Sequence, residues 1–211
     1  MGFSNFLKLS ENPEVYPPQE DTLFLTDILE REFQKEVLAN SNSFLVCEVG
    51  VGTGFISIVL GKKYPQIHFI GVDISSQATK ICYKNMSEWL QRTQFDVLCM
   101  DLLCGFNPSR FFPSIVFFNP PYLRTTQEEM MKEPLPRTWA GGPTGIMVIQ
   151  EFLKTLTKIR FGKAYFLSSI YNTNELFSVQ FQEFYIQVIA EKKIEDDKLI
   201  CYEVQYKRKP K

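Results

Sequence analysis

Two short segments carry most of the chemistry that this sequence can support. The first is Asn119-Pro120-Pro121-Tyr122. Adjacent prolines fix φ and lack N–H donors, so Pro120 presents its carbonyl rigidly and Asn119 adds a side-chain acceptor beside it. Two acceptors so placed can each take one N–H of a planar NH₂ group, as in a glutamine side chain or an adenine, and hold its nitrogen at a near-attack distance of about 3–3.5 Å. The Tyr122 ring can cover the flat face of that group. An ordinary proline turn is the plain alternative. The second segment is Glu48-Val49-Gly50-Val51-Gly52-Thr53-Gly54. Glycines allow a sharp turn and a close approach to a ligand that a Cβ would exclude. A dinucleotide fingerprint would need glycine at position 55, where this chain has Phe55, and the Gly-Lys-[Ser/Thr] of a P-loop is absent, so both phosphate readings weaken.

Acids follow the next two expected strands. Asp73 ends the second strand, where a carboxylate can accept hydrogen bonds from both ribose hydroxyls, and Asp101 lies just beyond the third. Glu48 can either cap the helix that follows the glycine turn or face a ligand. Other chemistries are poorly served. The single histidine, His68, cannot build a multi-histidine metal site, and inside the strand Gln66 to Asp73 it reads as a packed residue rather than a catalyst. Five cysteines without a C-x-x-C pair, in a chain without a secretory signature, read as reduced thiols of the cytosol or nucleus; Cys99 and Cys104 read as packing residues, and no metal is assigned. Lys plus Arg total 23 against 24 Asp plus Glu, so no global positive field favours nucleic acid. No apolar run approaches the roughly 20 residues that span a bilayer.

The elements that must position these segments alternate between short apolar strands and helix-like stretches, the pattern of an α/β fold around a mostly parallel sheet. Expected strands cover 44–49, 67–72, 96–100, 114–119, 163–169, 185–192 and 198–206. Expected helices cover 54–63, 76–91, 144–158 and 173–182, the last two capped by Thr144 and by Thr173 or Asn174. Only the residues around Glu195 to Asp197 separate the final two strands, which therefore form an antiparallel hairpin. Hydrophobic residues at 45% supply a sizeable core for a single compact unit. Residues 1–43 form an extension whose helix, 22–39, packs on the domain of 44–211 through Leu23, Ile28, Leu29, Phe33, Val37 and Leu38; Asp21 or Thr22 caps it. The proline-rich loop 119–143 is long enough to be functional. The basic ending after Tyr206 reads as a solvated tail.

The Glu-x-Gly-x-Gly-x-Gly turn resembles motif I of Rossmann-like class I methyltransferases that use S-adenosylmethionine. The resemblance implies a seven-stranded fold, with Asp73 on the ribose, Asp101 on the adenine amine, Leu102 beside the ring, and Glu48 near the positively charged methionyl end. Asn-Pro-Pro-Tyr is shared by glutamine and adenine-N6 methyltransferases. In either, nitrogen gains positive charge as it attacks the methyl, and the Asn119 and Pro120 oxygens stabilise that charge more than the neutral ground state. Tyr16-x-Pro18-x-Glu20-Asp21-Thr22 and Trp139-Ala140-Gly141-Gly142 resemble the eukaryotic and archaeal HemK-like family, which methylates the glutamine of the Gly-Gly-Gln loop in class I release factors. Tyr16 and Thr22 are then cofactor contacts along with Glu48, Gly50, Gly52, Gly54, Asp73, Asp101, Leu102 and Asn119, while Asn119, Pro120 and Tyr122 are catalytic.

Gly141 and Gly142 would let a substrate main chain approach, which suits a Gly-Gly-Gln loop better than a flipped base. One departure is that no substrate-recognition domain precedes the approach, so surface loops or a partner must bind the substrate. The third strand, Phe95 to Met100, is an edge with two largely apolar faces. The resemblance implies that it pairs with a small zinc-binding activating subunit shared by several methyltransferases, in an obligate heterodimer. The implied location is the cytoplasm, with the nucleus left open. The competing readings are adenine-N6 methylation, lysine methylation, and a non-catalytic cofactor-binding subunit, which would be expected to have lost one of the two motifs.

Overall fold

The computed structural model describes residues 9, 13–39, 44–126, 140–178, 181–194 and 197–207. Trp139, Glu195, the side chain of Leu38 and the tail beyond Lys207 lie outside them. Helix α1 (Glu20–Ala39) leads into alternating units: β1 (Leu45–Val49), α2 (Phe55–Lys63), β2 (His68–Asp73), α3 (Ser76–Trp89), β3 (Phe95–Cys99) and β4 (Ile115–Phe118). Then come α4 (Met147–Leu156), β5 (Lys163–Ser169), α5 (Thr173–Ser178), β6 (Phe184–Ile194) and β7 (Asp197–Tyr206). The seven strands order as β3-β2-β1-β4-β5-β7-β6. The first five are parallel, and β7 inserts antiparallel between β5 and β6. This is the Rossmann-like arrangement of class I methyltransferases.

Strand residues alternate between two cores because successive Cβ atoms point to opposite faces. Phe69, Phe117, Tyr165 and Cys201 join one cluster under α1, α2 and α3, while Phe118, Phe166, Ile200 and Tyr202 join another under α4 and α5. Both faces are covered, so the central strands are apolar almost throughout. Helix α1 docks through Phe24, Leu25, Ile28, Leu29 and Phe33, with Leu23 and Val37 only partly buried. Full burial of a side chain such as Phe33 contributes about 1.5–3 kcal/mol, which fastens the approach segment over the sheet.

Several local expectations are corrected. Helix α1 begins at Glu20, so Asp21 and Thr22 occupy its first turn rather than the cap, and Thr22 Oγ1 accepts from the Gln19 N–H at 3.3 Å. Helix α4 starts at Met147 with Ile146 in the cap position and no side-chain cap, because Thr144 belongs to the preceding turn. Thr173 opens α5 instead of capping it; Ser169 caps the 3₁₀ turn Ile170–Asn172 that precedes it. His68 is partly exposed, its ring set between Thr93 O and Asp96 Oδ2, each at 3.0 Å. Cys99 and Cys104 are exposed rather than packed, since they sit at the end of an edge strand and in the turn after it. Among the described residues, no helix is long and apolar enough to cross a membrane.

Candidate active site

The carboxyl ends of β1, β2, β3 and β4 open into one cavity of about 630 Å³. In open parallel sheets this crevice, where the strand order reverses, is where ligands bind. Tyr16 and Thr22 reach it from the approach, Glu48, Gly50 and Gly52 from the turn after β1, Asp73 from the end of β2, Asp101 and Leu102 from beyond β3, and Asn119, Pro120 and Tyr122 from beyond β4. Gly54 does not line it: a Cβ there would lie 3.0 Å from Cys82 Sγ, against α3.

The glycine turn forms a cradle with an open face. Gly50 has φ 63°, and a Cβ added there would lie 2.7 Å from the Phe118 ring. Gly52 has φ 51°, yet a Cβ there would meet nothing nearer than 4.0 Å, so its surface is free for a ligand. Asp73 secures the cradle. Its Oδ2 accepts from the Gly52 N–H at 3.0 Å and its Oδ1 from the Ser75 N–H at 2.9 Å, leaving further lone pairs for a diol. Burial raises its carboxyl above the usual aspartate range, against those hydrogen bonds. Glu48 takes both readings offered by its sequence position. Its Oε2 accepts from the Ser57 N–H at 3.2 Å and from the Ser57 hydroxyl, which anchors the first turn of α2. It also lines the cavity, and burial pushes its carboxyl up to about 8, so a cationic ligand group would be its natural counter-charge.

The corner around Asn119 is held from far along the chain. Asn119 Nδ2 donates to Asp21 Oδ2 at 3.1 Å, and the Tyr122 and Tyr16 hydroxyls donate to the same oxygen at 3.3 and 3.4 Å. Burial and the Asp21 charge raise both phenols, Tyr16 to about 12. The amide is thereby fixed with its oxygen away from Asp21. Asn119 Oδ1 is buried and, among the described residues, has no hydrogen-bond partner. Such an acceptor costs about 1–3 kcal/mol to leave unmet, so the corner suits a ligand that brings a hydrogen-bond donor.

Asn172 clasps the other end of this segment. Its Nδ2 donates to Tyr122 O at 2.7 Å and Gly145 O at 3.3 Å, and its Oδ1 accepts from Arg124 Nε at 3.2 Å. Leu123 bridges Ala140, and the Gly141 N–H reaches Leu123 O at 2.7 Å. This closure corrects one expectation. A Cβ on Gly141 would lie 2.6 Å from Gly145 O, so that glycine is required by the chain's own turn and leaves no opening for a substrate backbone. Asp21 and Asn172 were not singled out from sequence. Asp21 had a signal in the approach segment but read as a helix cap; Asn172 had none.

Comparison with known proteins gives a consistent set. Residues 22–165 match the family described as Methyltransferase small domain. The putative protein N5-glutamine methyltransferase of Methanocaldococcus jannaschii is 34% identical over 71% of this chain and 68% of its own length. The eRF1 methyltransferase catalytic subunit mtq2 of Schizosaccharomyces pombe is 32% identical over 82% of this chain and 79% of its own. Among solved structures, the E. cuniculi Mtq2-Trm112 complex, responsible for methylation of the eRF1 termination factor, superposes with a TM-score of 0.65 at 24% identity, covering 92% of this chain and 99% of that one.

Proposed function

The chain belongs to the methyltransferase small-domain family, and from that premise we propose that it methylates the side-chain nitrogen of the glutamine in the Gly-Gly-Gln loop of a class I release factor, with S-adenosylmethionine as donor. The observation that carries this reading is Asn119 Oδ1, buried, without a partner among the described residues and turned away from Asp21. An uncharged NH₂ supplies the donor that this oxygen lacks.

The cavity residues fit the cofactor. Asp73 retains acceptor capacity for ribose hydroxyls, Gly52 leaves the cradle face open, Asp101 and Leu102 lie beyond β3 for the adenine, and Glu48 offers a carboxylate to the methionyl end. When bound, S-adenosylmethionine supplies an electrophilic methyl carbon on a positively charged sulfur. The chain's residues do the rest. An amide nitrogen is a weak nucleophile because its lone pair is delocalised into the carbonyl. Asn119 Oδ1 and the Pro120 carbonyl accept its two N–H groups, point the nitrogen at the electrophile, and stabilise the positive charge that it gains. Tyr122, tethered through its hydroxyl and its carbonyl, covers the planar group. The approach Tyr16 to Thr22 closes over the cofactor as part of the N-terminal extension.

The β3 edge is proposed to pair with a small zinc-binding activating subunit. Leu98 of that strand is 37% exposed, Cys99 is also exposed, and Ile74, just beyond the end of neighbouring β2, is 62% exposed, an apolar margin that covering by a partner would protect. A release factor as substrate supports a cytoplasmic reaction, with the nucleus left open. The test is transfer from labelled cofactor to release factor carrying Gln or Ala in the Gly-Gly-Gln loop, with the activating subunit present. Label on the Gln form alone is expected, and label on the Ala form would reject the assignment.

A further inference from the structure

We propose that Asp21 is a positioning residue for this transfer: its carboxylate dictates which way round the Asn119 amide sits and strengthens Asn119 Oδ1 as an acceptor. The inference rests on the amide-methylation reading and extends it to a residue outside the Asn-Pro-Pro-Tyr segment. An asparagine side chain can occupy a site in either of two orientations that differ only by exchange of oxygen and nitrogen. An ionised carboxylate removes that choice, because it only accepts. Asp21 Oδ2, facing Asn119, therefore selects the NH₂ end and leaves the buried Asn119 Oδ1 turned away from it, on a residue that lines the cavity.

The surroundings support more than a helix-terminal role. Asp21 is only 6% exposed. Its Oδ1 alone serves the helix, accepting from the Thr22 N–H at 2.6 Å and the Thr22 hydroxyl at 3.2 Å. Oδ2 instead gathers donors from the approach and from the segment after β4: Tyr16, Asn119 and Tyr122. A carboxylate buried merely to end a helix would give up hydration without need, since an exposed one does the same work. Here the buried charge has a use. A charge-assisted hydrogen bond on an amide N–H polarises the amide and shifts electron density to its oxygen. That oxygen is the one that meets the acceptor nitrogen as positive charge develops.

Asp21→Asn in the full chain with its activating subunit tests the proposal. Its neutral amide can face Asn119 either way, so kcat is expected to fall about 10–100-fold, with KM for release factor and Kd for S-adenosylhomocysteine each within about threefold of the parent. Unchanged kcat would overturn the proposal, as would a loss confined to S-adenosylhomocysteine affinity, which would make Asp21 a cofactor contact. If Asp21→Asn does not fold, Asp21→Glu and Asp21→Ala decide: the charged variant is expected to keep the higher kcat, and equal values would overturn the idea. A readout independent of substrate is the ¹⁵N-resolved side-chain NH₂ of Asn119, whose proton exchange should quicken in Asp21→Asn; no change would reject the proposed bond. Should the parent methylate no release factor, the functional reading fails while this exchange measurement still judges Asp21.

Discussion

The glycine cradle and the Asn119 corner share one cavity but are held in different ways. The cradle is a backbone object made mostly within one strand-turn-helix unit. Its Val51 N–H bonds Val72 O at 3.0 Å, its Gly54 N–H bonds Val51 O at 2.8 Å, and Asp73 joins it across a single strand pair. The corner is a side-chain object. Asp21 comes from the first helix and Asn172 from the turn after β5, each fastening one end of a segment that lies beyond the end of β4. Backbone hydrogen bonds bring a ligand close with little dependence on side-chain identity. Side-chain clasps orient one amide and one carbonyl, and either can be lost by a single substitution. The cradle is therefore suited to binding and the corner to chemistry.

The sharpest way to break that division is a pair of variants. Asn119→Ala should lower kcat by about 10²–10³ while S-adenosylhomocysteine binds within a few-fold of the parent. Asp73→Ala strips acceptors from the Gly52 and Ser75 N–H groups as well as from a bound diol. It should weaken S-adenosylhomocysteine by about 10–100-fold while kcat at saturating cofactor stays within about fivefold. Calorimetry and initial rates measure both, and a crossed pattern would dissolve the distinction. Next in size, Asn172→Ala leaves Tyr122 O and Gly145 O without their donor and should cost about 1–3 kcal/mol in denaturant unfolding, with a fall in kcat larger than any change in cofactor affinity.

The smallest effect concerns Glu48. Its carboxyl titrates at about 8 in the folded protein against an ordinary value of 4.5. Between those values the folded state holds a proton that the unfolded chain has released, so this group's contribution to stability is greatest at low pH, declines through that interval, and is level above it. Glu48→Gln cannot ionise. It should gain on the parent by at least about 1 kcal/mol in unfolding free energy as the pH rises from about 5 to about 8. Parallel curves at the two pH values would show that the carboxyl is not held in its neutral form.

Legibility in the sequence follows the same division. Strand β5 lies at Lys163–Ser169 as expected, and the other six strands differ by one or two residues at their ends. Apolar alternation and the two-sided burial behind it are local properties of a buried strand. Helix starts were less legible. Thr144 and Thr173 are good caps by type, yet turn closure at Gly141 and Gly145 and the 3₁₀ turn after β5 determine where those helices begin. In the candidate site, the Gly50 and Gly52 cradle and Asn119 were visible because each sits in a short motif at a strand end. Gly141 was read as an opening for a substrate, whereas its neighbour in space, Gly145, fills that opening.

From residue order alone came the α/β class, the family resemblance, and the two motifs, since spacing along one strand and its turn determines which groups can meet a ligand there. The fold alone decided that Asp21, not a solvated cap, would accept from Asn119 Nδ2, and that Asn172 would clasp Tyr122. Both contacts join residues 98 and 50 positions apart. Only packing brings such groups together, because local propensity carries no information about which distant side chain will be buried beside them.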